Sequence, residues 1–315
     1  MNSTAHSAGG FVTDVCRPFL LESQNADGGW GFHPGATSAV EPTAWALLAL
    51  GKLDPQSPEL ARAVAWLLGC QNEDGSWPSR PETVEASWIT PLGGLALLGL
   101  KSGAADAAIQ RAGEWTCQSH TGQRHWKMLL ARFLSRRKVV GQNLSLEGWS
   151  WTPGTASWIE PTAVALIFLH QLPAMKNSPN ANARLQMGES FLYDRMCPSG
   201  GWSMGNPKIY GIEGIAQAGV TAWALIALQK NREREENRRS IEWLETNFVS
   251  INGASSLALA RIALKANGRT TASIESKLAA QFAAERFLNN IVAVSQAAFA
   301  LESGPDVLRW IAAER

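Results

Sequence analysis

The chain has 315 residues, 28 of them basic and 27 acidic, giving a net charge of +1, with 45% hydrophobic and 17% charged side chains. This balance excludes a disordered chain and argues against a nucleic-acid binder, which carries a strong basic surplus. Tryptophan is over-represented, at 14 against 10 Phe and 2 Tyr, so something in the molecule uses large aromatic faces.

In chain order, the first ten residues, MNSTAHSAGG, lack the basic start and apolar core of a signal peptide and are expected to be disordered. A first mixed helix follows, carrying Asp14-Val15-Cys16. Next come a turn, Gln24-Asn25-Ala26-Asp27-Gly28-Gly29-Trp30, and Glu41-Pro42-Thr43-Ala44-Trp45-Ala46-Leu47, the start of a helix apolar on nearly every face. Proline suits the first helical position, because its missing N–H would be unpaired there anyway. Ser57 to Gly69 has amphipathic helical spacing, and the turn returns as Gln71-Asn72-Glu73-Asp74-Gly75-Ser76-Trp77. Its Asp-Gly pair is expected to end the helix in a left-handed backbone conformation. Trp88-Ile89-Thr90-Pro91 opens another apolar helix, Arg111 to Glu114 belongs to a mixed one, and a basic run with His125 extends from Arg124 to Lys138.

Leu146-Glu147-Gly148-Trp149 and Glu160-Pro161-Thr162-Ala163-Val164-Ala165-Leu166 then repeat the phrase, with eleven positions from Trp149 to Glu160 as from Trp30 to Glu41. Cys197-Pro198-Ser199-Gly200-Gly201-Trp202 and Val220-Thr221-Ala222-Trp223-Ala224-Leu225 form a weaker copy. Beyond it, the mixed stretches Asn231 to Phe248 and Thr271 to Phe287 alternate with the apolar Ser255 to Lys265 and Ile291 to Leu301. Units of about 45 to 55 residues give roughly six hairpins. Polar outer helices alternating with apolar inner ones predict an all-α fold, an α/α toroid (α6/α6 barrel) formed by residues 1–315 as one domain. An open solenoid of hairpins is the competitor.

The Gln-x-x-x-Gly-x-Trp loops, each followed by an apolar helix, resemble the QW motif of the squalene-hopene and oxidosqualene cyclases. The same superfamily contains the protein prenyltransferase β-subunits, whose single barrel is similar in size to this chain. The resemblance runs through about residues 11–230 by motif and beyond that by helix rhythm. It implies a cyclase of class II type, in which the central acid of an Asp-x-Asp-Asp-Thr-Ala segment protonates an isoprenoid. Aligned on Thr-Ala, that acid falls on Glu41 and Glu160, each lengthened to Glu and without flanking Asp. The prenyltransferase zinc site needs an Asp-x-Cys pair and a distant His. Asp14-Val15-Cys16 has the letters but lies in the first outer helix, so no metal or other cofactor is expected.

Glu41 and Glu160 are therefore the candidate catalytic acids, and their other reading is helix capping by a carboxylate at a positive helix N-terminus. Because that terminus lowers a carboxyl pKa, an acid role requires desolvation to prevail. Trp30, Trp77, Trp149 and Trp202 are expected to be structural. Trp45, Trp88, Trp158 and Trp223, with Phe32, Trp151 and Phe168, are candidates for an apolar wall around a substrate, either as core or as a carbocation cage. His33 and His170 are candidates to hydrogen-bond a catalytic carboxylate, or ordinary surface and capping groups. The basic run, with His120 before it, reads as a solvated face or a contact for anionic lipid or diphosphate. Four scattered cysteines, Cys16, Cys70, Cys117 and Cys197, without a CxxC, point to a reduced, cytoplasmic setting, with peripheral membrane association as an addition. The expected partner is a small isoprenoid, and a homodimer is a candidate assembly. The alternatives are a non-catalytic isoprenoid- or partner-binding toroid, a prenyltransferase-like protein without zinc, and an enzyme acting on sugars.

Overall fold

The computed structural model describes residues 8–101, 103–122, 142–176, 178–209, 211–302 and 308. The basic run with His125, and the first seven residues of the expected disordered start, lie outside the described residues. In chain order the helices are α1 (Ala8–Phe11), α2 (Arg17–Glu22), α3 (Val40–Leu53), α4 (Pro58–Gly69), α5 (Ile89–Gly99), α6 (Asp106–Gln118) and α7 (Ile159–Gln171). They continue with α8 (Pro173–Lys176), α9 (Pro179–Asp194), α10 (Ala218–Ala227), α11 (Glu235–Asn247), α12 (Ala254–Ala266), α13 (Ala272–Glu285) and α14 (Ile291–Leu301). A π-helical turn, Val12–Cys16, joins α1 to α2, and a short antiparallel hairpin pairs β1 (Lys208–Ile209) with β2 (Ile212–Glu213).

The apolar helices are the inner ones. α7 buries every residue from Ile159 to Leu169 except Glu160, because its surface is apolar all round. Outer α11 buries only Asn237, Ser240, Ile241 and Leu244, one face at helical spacing. Each inner helix packs on the next in the order α3, α5, α7, α10, α12 and α14, and α14 packs back on α3. The ring is closed and the open solenoid is excluded. The fold is an α/α toroid.

Hydrogen bonds at one end of the ring show what the loop motif is for. The indole N–H groups of Trp30, Trp77, Trp149 and Trp202 donate to carbonyls near the end of an outer helix: Leu20, Leu67, Thr116 and Leu192, at 2.7–2.8 Å. Their backbone N–H groups donate to the hydroxyls of Thr43, Thr90, Thr162 and Thr221 in the following inner helices, at 2.8–2.9 Å. Two residues beyond each tryptophan, the carbonyls of Phe32, Ser79, Trp151 and Met204 accept from Ile291, Val40, Trp88 and Ile159, at or just before the first turn of the preceding inner helix in the ring. Gln24 and Gln71 complete the staple. Each amide donates across its own loop, to Gly28 and Gly75, and to the next outer helix, at Glu59 and Ala108.

Two local expectations are corrected. Pro42 and Pro161 stand third in their helices, still within the turn that lacks intrahelical partners. The Asp-Gly pair does not end α4, which stops at Gly69. Gly75, at φ +90°, instead closes the turn that follows, donating to the Asn72 carbonyl at 3.0 Å. Since Thr43 is fully buried, Thr43→Val keeps the shape but strands the Trp30 N–H. It should cost about 1 to 3 kcal/mol, read as a lower urea midpoint at unchanged slope.

Candidate functional site

Glu41 and Glu160 are the second residues of α3 and α7, the helices on either side of α5 in the ring. Both side chains belong to partly buried residues at the stapled end, and neither forms an ion pair with the described residues. Burial pushes both carboxyls up to about 7. At Glu160 the charge of Glu41 raises it further, while the Trp223 indole N–H works in the opposite direction. A helix N-terminus alone would lower both, so desolvation prevails over the helix dipole. Trp223 Nε1 is buried and makes no complete hydrogen bond with the described residues, leaving a donor beside the acid.

Below the acids the ring is filled. Trp45 lies one turn beyond Glu41 on the same helix face, its ring 6.0 Å from that of Trp223 and 6.2 Å from that of Phe299. Trp45, Trp223 and Phe168 are 1%, 2% and 0% exposed. Walls of a chamber able to hold even water would keep measurable accessible surface. These three side chains are therefore packed as core, the first of the two readings the sequence left open. Phe168 packs so closely on α5 that a Cβ added at Gly94 would lie 2.4 Å from its ring.

The remaining candidates divide between the rim and elsewhere. Phe32, Trp88, Trp151 and Trp158 are partly buried at the stapled end, where Trp88 and Trp151 meet edge to face at 4.6 Å. His33 is exposed in the first loop. His170 stands ten residues beyond Glu160, about 15 Å along α7, and pairs with Glu189 of α9 at 3.1 Å, so it does not support the acid. His120 lies 3.4 Å from the buried Glu147, which also accepts from the Thr121 backbone N–H. Cys16 is fully buried and its thiol is pushed up to about 12, far from a thiolate.

One feature escaped the sequence reading. A cleft of about 610 Å³ lies between the third and fourth rim loops, walled by Trp158, Met204, Ile215 and the buried Arg195 among others. Its signal was a count: Thr221 follows Trp202 by 19 residues, against 13 in the other three loops. A smaller cavity of about 420 Å³ sits at the opposite end of the ring, beside Lys52, Gln171 and Phe299.

No protein-family model matches the chain. Over 64 residues it is 44% identical to a drimenyl diphosphate synthase of Streptantibioticus cattleyicolor, a stretch equal to 20% of this chain and 12% of that protein. A squalene–hopene cyclase of Bradyrhizobium diazoefficiens is 39% identical over 79 residues, again 12% of its length and 21% of this chain. Among solved structures, a type II terpene cyclase from Scytonema, in complex with merosterolic acid A, superposes with a TM-score of 0.55 at 14% identity, over 93% of this chain and 96% of that one. A protein from Actinoplanes gives 0.56 at 18% identity, over 89% of this chain and 80% of its own. Over these short stretches the chain is similar in sequence to terpenoid cyclases, and the solved structures share its fold. It shares the toroid with the Scytonema protein over 93% of its length, while its matches to the curated relatives span about an eighth of their length. Among the described residues no helix is long and apolar enough to cross a membrane.

The raised carboxyls give a stability test. A carboxyl pKa higher in the folded than in the unfolded state costs nothing below pH ~4, costs increasingly as pH rises towards 7, and costs its full amount above that, about 3 kcal/mol for each such group. Glu41→Gln and Glu160→Gln should therefore raise the melting temperature by several degrees at pH 8 and by little at pH 4. Stabilising caps would show the reverse, a loss on substitution at pH 8.

Proposed function

We propose that the chain is a class II terpene-cyclase-type enzyme whose acid is the Glu41–Glu160 pair. The observation that carries this reading is the pair itself: two desolvated carboxyls, both near 7, at the rim of a closed ring above an aromatic floor. Burial raises both carboxyls and the charge of Glu41 raises Glu160 further, so the pair retains a proton towards neutral pH. The acid O–H breaks as a C–H bond forms on an isoprenoid alkene, or as an epoxide oxygen takes the proton and its C–O bond opens. The carbon left electron-poor is attacked by the π electrons of the next alkene, closing a ring. The last cation loses a proton to a base, which restores neutrality and an alkene.

The partly open faces of Trp88, Trp151 and Trp158 support the cation, each such contact contributing about 2 kcal/mol or more when desolvated. Trp45 and Trp223 serve as the floor that keeps water from below. Support comes from the Scytonema protein, described as a type II terpene cyclase with its product bound and matched over nearly its whole length. The curated relatives, a drimenyl diphosphate synthase and a squalene–hopene cyclase by name, add weight to isoprenoid chemistry. The packed ring centre favours one other reading, an isoprenoid-binding toroid without turnover.

Incubation with squalene, oxidosqualene, farnesyl and geranylgeranyl substrates, followed by gas chromatography–mass spectrometry, separates the two. Cyclic products are expected from wild type, with at least about a hundredfold loss in Glu160→Gln. The rate should fall as pH rises through about 7, because the active form is the protonated one. No cyclised product from any of these substrates removes the enzymatic reading.

A further inference from the structure

Thr162 and Thr221 hold the third and fourth loop tryptophans by the same bond, so they mark one level of the ring in α7 and α10. Glu160 stands two residues before that level and Trp223 two residues after it, about 6 Å apart along the ring axis. Helical side chains lean towards the N-terminus, which carries the Trp223 indole up towards the acid. The indole also points inward. Its ring lies 6.0 Å from that of Trp45, and α3 and α10 are not neighbours in the ring, so the two meet across the axis. α7 and α10 pack directly on each other.

The N–H is the polar group of an indole, and it can only donate. That of Trp223 is buried without a complete partner, and the close packing of Trp45, Phe168 and Trp223 keeps water from it. The acceptor it acts on is the Glu160 carboxyl. Glu41 has no corresponding donor, and burial is what raises it. The charged group that acts on Glu160 is Glu41 of α3. α5 and α10, the ring neighbours of α7, carry no charged residue. Behind α7, Arg184 of α9 is committed to the carbonyls of Glu147 and Gly148, and Arg111 of α6 to Gln71. The two glutamates are thus alike in helix position and burial and differ by one hydrogen-bond donor.

A carboxylic acid uses its oxygens differently, one accepting and the other carrying the proton. A donor rising from the floor takes the oxygen nearer the floor and leaves the O–H on the other, towards the rim. When the proton leaves, the electron pair of the O–H bond stays on the carboxylate. The same N–H then faces an anion and makes a shorter, stronger bond. We propose that Trp223 is the positioning residue of Glu160: its indole N–H turns the acid O–H to the rim and holds the carboxylate that remains. Proton donation then belongs to Glu160, with Glu41 as its desolvated neighbour. The transfer to a substrate rests on the functional reading above; the hydrogen bond and its effect on titration do not.

The test is an NMR titration of the full chain with isotope-labelled glutamate carboxyls, the Glu160 signal being the one lost in Glu160→Gln. Trp223→Phe keeps an aromatic floor and removes the N–H. Loss of a donor to the anion should raise the proton affinity of Glu160 about tenfold. A role in packing alone has the opposite sign, because a loosened floor admits water and lowers a carboxyl that burial had raised. Should Trp223→Phe fail to fold, wild-type protein with labelled tryptophan decides. One indole N–H resonance should move downfield as pH rises through about 7, and that movement should be absent in Glu160→Gln. An unchanged or lowered Glu160 titration in Trp223→Phe, or no indole resonance that follows Glu160, overturns the proposal. The predicted titration without cyclised product removes the enzymatic reading alone, whereas product lost in Glu160→Gln with an unmoved titration removes the role of Trp223 alone.

Discussion

The molecule depends on tryptophan N–H groups at the rim. Each loop tryptophan satisfies its indole on an outer helix and its backbone on the threonine of an inner helix, in a buried setting where an unpaired donor costs 1 kcal/mol or more. The carbonyl two residues on then reaches the neighbouring inner helix, so each staple ties three helices rather than two. The bond from Ile291 to Phe32 is the one that joins the chain's last inner helix to its first rim loop. Closure of the ring is thereby built from the same local unit as its repeats.

That arrangement bears directly on the carboxyls. Helix N-termini normally recruit side chains because their first N–H groups lack partners. Here the neighbouring loops supply backbone carbonyls to Val40 and Ile159, the opening residues of the two helices that carry the glutamates. The helix starts have one donor met by the scaffold, and the acids are held in a dry position that raises their proton affinity. A carboxyl whose pKa burial raises, in a fold whose helix starts are served by other groups, is what the proposed acid role requires and what a capping role does not.

Much of the frame was legible because its signals are local. The Gln…Gly-x-Trp loops, the Trp30-to-Glu41 spacing and the alternation of mixed and apolar helices all survive as rim staples and a closed ring of hairpins. The interior was less legible. An inner helix that is apolar all round gives no periodicity from which to tell a residue facing a cavity from one facing a neighbour, so Trp45, Phe168 and Trp223 read equally well as wall or core. His170 could be read as a partner for Glu160 or as an ordinary surface or capping group, and the rise of their shared helix carries it to the far end, where Glu189 of α9 meets it. The cleft was hidden for a different reason: the fourth loop's six extra residues disturb no motif, and only the comparison of Trp-to-Thr spacings reveals them.

The similarity to terpenoid cyclases and the chemistry proposed for this chain therefore rest on different residues. Gln24, Trp30, Thr43 and their repeats account for the family motif, and every one of them is occupied in holding the rim. They transmit the fold. The groups that the staples leave free include the two glutamates over the aromatic floor, on which the proposed function rests, and the loop that departs from the common length. Both lie at the same end of the toroid, the end where the loops lock the backbone most firmly. A rigid rim is what such groups require: carboxyls keep a raised pKa only if the surroundings cannot relax to admit water.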